Sequence, residues 1–227
     1  MSEYIPNAGV FDLELAMPVP RNGKGVDWKA APRCGISTLV MWPVYSVHPY
    51  IAILDDSRFP RQVVTEEWMA ERFAECDSIV GWNSLDFDMA VVAKQAPQIH
   101  DVLKTKRHTD LMAVAAAIQA GATAKDLKAG LKPGWATKYP SIRGDWLSRG
   151  WRLDLVYKAT MEVEQGKLDG YDGEGAPLKW QSGQYSGVIT YCVGDVGMTR
   201  ELYRFAWDEG YLVSPERGRV NIPREYL

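Results

Sequence analysis

Four carboxylates and a phenol in this chain of 227 residues stand where apolar surroundings make polar groups costly. Asp12 and Glu14 lie in FDLEL, inside the apolar run AGVFDLEL at 8–15. Positions i and i+2 of a strand point to one face, so both acids project together from a segment that reads as core. Like charges so placed are expensive unless a cation lies between them or the strand end reaches water. Asp88 follows Phe87 in GWNSLDFDMAVV at 81–92, where a strand gives way to a helix. Open α/β sheets expose functional groups at such junctions. Asn83 suits the turn through side-chain to backbone hydrogen bonds. Asp86 and Asp88 also suit a helix N-terminus through the macrodipole. Tyr191 and Asp195, four residues apart in TYCVGDVGMTRELY, share one helical face. The rest of that helix is apolar, so both groups need partners.

The elements that must carry these residues can be read from period and punctuation. Segments 8–15, 36–44, 50–56 and 78–82 are strand candidates, most of them rich in β-branched and aromatic residues. A polar loop is expected over 21–33. TEEWMAERFAEC at 65–76 opens on Thr65 and spaces Trp68, Met69, Phe73 and Cys76 at helical intervals. A short helix is expected over 87–95, ended by Pro97, and another over 110–121 with Asp110 as cap and Gly121 as stop. Two short helices are expected at 124–131 and 152–162, among Gly-, Pro- and Trp-rich loops. A long final helix spans 186–210, and a short strand or irregular tail follows. No internal repeat or linker is evident. The pattern predicts one α/β domain.

Taken in order, Asp-x-Glu on an early strand, Asn-x-x-x-Phe-Asp after a later strand and Tyr-x-x-x-Asp on a C-terminal helix resemble the DEDD superfamily of 3′–5′ exonucleases. The match is to its tyrosine-bearing subgroup. The set is most similar to the proofreading exonuclease domains of family B DNA polymerases and to stand-alone bacterial and phage relatives, over about residues 8–205. The resemblance implies an RNase H-like α/β fold, a mixed five-stranded sheet flanked by helices, forming a single domain over 1–227 with a loop-rich basic section around 122–182. It implies that Asp12, Glu14, Asp88 and Asp195 ligate two divalent cations, Mg²⁺ or Mn²⁺, and that Tyr191 positions the attacking water. One departure is Leu15, where the family pattern usually has Thr.

Two hard cations about 4 Å apart can activate water and stabilise a departing 3′ oxygen, and oxygen ligands select Mg²⁺ or Mn²⁺. A phenol with an ordinary pKa of ~10 is a poor base, so Tyr191 is expected to hold the nucleophile by a hydrogen bond.

The net charge of −3 and pI of about 5.7 exclude a generally basic packaging protein. The charge is uneven, however. Between Lys94 and Arg152, eleven Lys and Arg face four Asp, giving +7 and leaving −10 elsewhere. Such a segment suits a path for a phosphate backbone, although solvated helix faces would look the same. Expected nucleotide contacts are Asn83 and Phe87 at the second motif, and Arg107, Arg143, Trp146, Arg149 and Trp151 in the basic segment. Trp135 is a further stacking or packing candidate. Asp110 in RHTDLM is expected to cap a helix or support the site rather than ligate. KLDGYDGEGAP at 167–177 fails the EF-hand pattern and reads as a mobile acidic loop.

Three widely spaced cysteines suggest no disulfide framework or metal pair. The first residues lack a signal-peptide pattern, and no run approaches the ~18 apolar residues of a membrane span. The expected location is cytoplasmic. The expected partners are nucleic-acid 3′ ends, DNA favoured over RNA. Alternatives are an exoribonuclease on the same fold or a catalytically silent nucleic-acid-binding module.

Overall fold

The computed structural model describes residues 4–23, 25–55, 64–139 and 150–227. Nine strands lie in this range. β1 (Ala8–Leu15), β4 (Ile36–Pro43), β5 (Tyr50–Ile53), β6 (Ser78–Gly81) and β7 (Arg107–Asp110) form one sheet in the order β5-β4-β1-β6-β7. β2 (Arg21–Asn22) pairs with β3 (Gly25–Val26), and β8 (Tyr211–Ser214) with β9 (Gly218–Asn221). In the main sheet β1–β4 and β4–β5 are antiparallel, whereas β1–β6 and β6–β7 are parallel. The described helices are α1 (Glu66–Ala74), α2 (Asp88–Gln95), α3 (Pro97–Leu103), α4 (Leu111–Gln119), α5 (Ala124–Lys128), α6 (Leu153–Met161), α7 (Ala176–Gln181) and α8 (Tyr185–Glu209). The outcome is the α/β architecture the motifs implied, a mixed five-stranded sheet flanked by helices.

Alternation along β1 sorts the core. Phe11, Leu13 and Leu15 face one layer with residues of α1, α2 and α3. Ala8 and Val10 face the other layer, built from α4, α6 and α8. Asp12 and Glu14 continue this second face, so its apolar half ends where the acids begin. The β1–β6 ladder joins Ala8–Val10 to Ser78–Val80 and extends no further. The acids therefore lie beyond the last rung, where the two strands part.

Several elements differ from expectation. The segment at 21–33 contains the small β2–β3 pair and a 3₁₀ turn, Trp28–Arg33, rather than loop alone. Pro97 follows the end of α2 but also opens α3, because its missing N–H is no loss at the first helical position. The fifth strand, β7, is the short polar run RHTD, which lacks a hydrophobic alternation by which to read it. α5 is shorter than expected, with Gly130 just beyond it at φ +75°. α7 falls where only loop was expected, and the tail forms a hairpin.

Asp110 is the hub of the β6–α2 turn. Its Oδ1 accepts from the backbone N–H of Ala113 and Asn83, each at 3.0 Å, and its Oδ2 accepts from Leu85 N–H at 3.0 Å. The expected cap of α4 thus also ties down the turn that delivers Asp88. Asn83 takes a left-handed φ of 60° to make the bend. The turn is tight: a Cβ on Gly81 would lie 2.2 Å from Ser84 Oγ. Ser84 Oγ in turn lies 2.8 Å from His108 Nε2, and burial holds His108 neutral, its pKa lowered to about 4.

Asp110→Ala strands three N–H groups, and hydrogen bonds to charged groups contribute ~1.5–3 kcal/mol each. Urea titration is expected to show a stability loss of ~3 kcal/mol or more, with Asp110→Asn losing about half as much because it keeps one acceptor oxygen. A loss below ~1 kcal/mol in the alanine variant would show that these bonds do not secure the turn.

Candidate active site

Three elements deliver the acidic residues. β1 presents Asp12 and Glu14, the first turn of α2 presents Asp88, and one face of α8 presents Tyr191 and Asp195. α8 lies across β1 and β4. Cys192 helps fix that contact, its thiol donating to the backbone oxygen of Asp12 at 3.6 Å. All five side chains line one cavity of about 910 Å³. Glu14, Asp88, Tyr191 and Asp195 are each no more than 5% exposed, and Asp12 is half-buried.

The charges act on one another. Desolvation, then Asp195, pushes Asp12 up to about 7. Glu14 is raised well above the usual range by desolvation, then by Asp12, Asp195 and Asp88. Asp88 is raised by desolvation, then by Asp12 and Asp110. Asp195 is raised by desolvation, with Lys167 pulling the other way. The Tyr191 phenol is driven far above its usual value by the same burial and the same acids, so it stays protonated.

Lys167 is a cavity residue that the sequence reading missed. Its Nζ donates to Asp195 Oδ2 at 2.5 Å and to Tyr191 Oη at 2.8 Å, and lies 4.9 Å from the centre of the Tyr191 ring. Desolvation disfavours its charge, but Asp195, Asp12 and Glu14 hold it, and its pKa rises. The KLDGYDGEGAP segment is thus a wall of the cavity that brings a cation to the acids. Tyr171, from the same segment, stacks on Tyr191 with centroids 5.9 Å apart. Gly187 makes room for it, since a Cβ there would lie 1.8 Å from the Tyr171 hydroxyl oxygen. The resemblance implies that this connection often lies near the substrate; its fold onto α8 was not visible in sequence.

The donor set suits a metal. Four acidic side chains share the cavity with Lys167, which bonds Asp195, and with Lys158 and Arg152. Asp195 Oδ1 is buried and has no hydrogen-bond partner among the described residues, a lone pair left for a cation. Asp12, Glu14 and Cys192 offer ligand atoms within 4.8 Å of one another. This buried cluster could bind a metal. Its carboxylates favour a hard dication, and the Cys192 thiol, its pKa raised well above the usual range by burial, favours the neutral form.

Of the expected nucleotide contacts, Asn83 and Phe87 line the cavity. Trp151 borders it too but is only 1% exposed, its ring packed in the core, so it offers no face for stacking. Trp135 is likewise core. Arg107 does not line the cavity; it begins β7, at the end opposite Asp110, and its guanidinium donates to Glu225 O at 2.8 Å. Arg143, Trp146 and Arg149 lie outside the described residues. Trp28, assigned to a polar loop in sequence, lines the cavity 48% exposed and meets Phe87 edge to face, with centroids 5.8 Å apart. All three cysteines are free and buried, and no described helix is long and apolar enough to cross a membrane.

Among solved structures, the family B DNA polymerase from the hyperthermophilic archaeon Pyrobaculum calidifontis shares the fold. The TM-score is 0.52 over 89% of this chain, at 15% sequence identity, and the match takes in 25% of the polymerase chain. No family model and no curated protein matches the sequence. The likeness is one of fold: a mixed five-stranded sheet flanked by helices, consistent with an RNase H-like architecture.

The raised carboxyls predict a pH response. A group whose pKa is raised on folding adds stability below its unfolded value, here near 3.8, and loses it as pH rises through its folded value, about 7 for Asp12. In EDTA the thermal midpoint is expected to fall between pH 4 and 8 beyond the trend of Asp12→Asn, and Mn²⁺ at pH 8 is expected to restore it. A midpoint insensitive to both pH and Mn²⁺ would refute the coupled acidic cluster.

Proposed function

We propose that this chain is a metal-dependent 3′–5′ exonuclease, a single domain over 1–227 that removes nucleotides from 3′ ends, favouring single-stranded DNA. The observation that carries this reading is the meeting of Asp12, Glu14, Asp88, Tyr191 and Asp195 around one cavity, from three motifs far apart in sequence. Two further observations support it. Asp195 Oδ1 is buried and unpaired. The fold is shared with a family B DNA polymerase, the class whose exonuclease domains the motifs resemble.

In this reading Asp12, Glu14, Asp88 and Asp195 would hold two Mg²⁺ or Mn²⁺ ions, which would supply water activation and charge neutralisation at the departing 3′ oxygen. The chain's own groups do the rest. The Tyr191 hydroxyl, kept protonated, orients the attacking water by a hydrogen bond rather than removing its proton. The Lys167 ammonium anchors Tyr191 and Asp195 and offers positive charge to the scissile phosphate. Trp28 and Phe87 present aromatic faces at the cavity wall, where an unpaired base can stack without regard to its identity. A cavity that reads sugar and phosphate through such contacts trims any sequence.

The test is timed digestion of 5′-labelled single-stranded DNA and RNA with Mg²⁺, Mn²⁺ or EDTA. A ladder shortening from the 3′ end, absent in EDTA and faster on DNA, is expected. Asp12→Ala and Asp195→Ala should abolish it, and Tyr191→Phe should slow turnover while Mn²⁺ binding by calorimetry persists. Trp28→Ala should raise KM about tenfold with little change in kcat, since a stacked base contributes ~1–3 kcal/mol. Full activity in Asp12→Ala, or internal cuts in place of the ladder, would overturn the proposal.

A further inference from the structure

A second depression lies on the basic segment. It measures about 270 Å³ and runs between α5 and the 3₁₀ turn Trp135–Lys138. Lys125, Lys132 and Lys138 line it, all exposed. The single acid there is Asp126, whose Oδ2 is engaged by the Thr123 side chain at 2.7 Å and the Thr123 N–H at 3.2 Å in a capping box. Three ammonium groups thus face one carboxylate already bonded on one oxygen.

The groove also carries a buried hydroxyl without a partner among the described residues. Tyr139 is 8% exposed and lines the groove, and its hydroxyl oxygen is buried with no hydrogen-bond partner among the described residues. Burial, then Asp126, raises its pKa, so it remains a donor. Leaving a buried hydroxyl unpaired costs ~1–3 kcal/mol, and an acceptor bound in the groove removes that cost once the atoms now covering the oxygen give way. Three cations and one neutral donor call for an anion. The volume is below the ~300–1,000 Å³ of small-molecule pockets and suits one phosphate group rather than a whole nucleotide.

One hydrogen bond ties the 3₁₀ turn of the groove to a residue of the cavity. Gly134, which immediately precedes Trp135, donates its N–H to Asp86 Oδ1 at 2.5 Å, and Asp86 lines the acidic cavity. We propose that the Lys125–Lys132–Lys138 groove binds a backbone phosphate of the single strand on the 5′ side of the nucleotide held in the cavity. This deepens the proposed function and rests on it. It also gives a use to three of the eleven Lys and Arg gathered on one segment of an acidic chain.

The experiment is fluorescence anisotropy in EDTA with a 5′-labelled trinucleotide and a dodecanucleotide of thymidylate. For the dodecanucleotide, Lys132→Ala/Lys138→Ala is expected to weaken binding about tenfold and flatten the slope of log K against log salt by ~0.7, the value for one phosphate contact on single strands. The trinucleotide, held by the cavity, should bind as in wild type. Tyr139→Phe should weaken dodecanucleotide binding about threefold, the lost hydrogen bond being near the low end of ~0.5–1.5 kcal/mol. Wild-type binding that ignores length, or a double variant that binds both oligonucleotides normally, overturns the proposal. So does a double variant that loses only inorganic phosphate in calorimetry, which would make the groove a free-phosphate site. An intact 3′ ladder with no effect of the lysines refutes the groove alone. Length-dependent loss with no ladder in any metal leaves the groove standing and refutes the nuclease reading.

Discussion

Mutual repulsion among desolvated carboxylates is the constraint around which this structure is arranged. Three of the four are nearly withdrawn from water, and the charge of each raises the cost of ionising another. Such a set is tolerable only with counter-charge and only at a gap in the packing. The sheet provides the gap where β1 runs past its last rung with β6. Lys167 provides part of the counter-charge, bonded to Asp195 and Tyr191. The unpaired oxygen of Asp195 marks what one ammonium leaves undone.

The rest of the fold holds these charges in place. The odd-numbered face of β1 is apolar and seats the strand on one helical layer, which frees the even-numbered face to turn polar at Asp12. Cys192 links α8 to the Asp12 backbone beside Tyr191 and Asp195. Asp110, though acidic and buried, spends its lone pairs on three backbone N–H groups, and so builds the turn before Asp88 instead of joining the cavity. Two buried acids in one neighbourhood thus have distinct tasks, separated by what donates to them.

Charge is organised at a larger scale too. A net −3 looks unpromising for binding nucleic acid. It averages a compact acidic cavity with a basic groove that a hydrogen bond from Gly134 to Asp86 sets beside it. Positive charge stands in both places, since Arg152, Lys158 and Lys167 line the cavity and three lysines line the groove.

The sequence by itself determined the strand 8–15, the Thr65 and Asp110 helix caps, the long final helix and the order of the three acidic motifs. Each is written in local terms: period, capping side chain or fixed spacing. It also identified the residues that meet in the cavity, because an acid in an apolar run is visible without coordinates. The tertiary structure alone decided the rest. β7 is too short and polar to announce itself, and exists because β6 offers it a parallel edge. Trp151 looked like a stacking surface among basic residues, yet packing put it in the core; Trp28 looked like loop, yet stands at the cavity wall. Lys167 sits in a segment whose composition reads as acidic, and its role depends on that segment folding back across α8, with Gly187 admitting Tyr171. Contacts between residues distant in sequence carry no local pattern, so only the packed molecule reveals them.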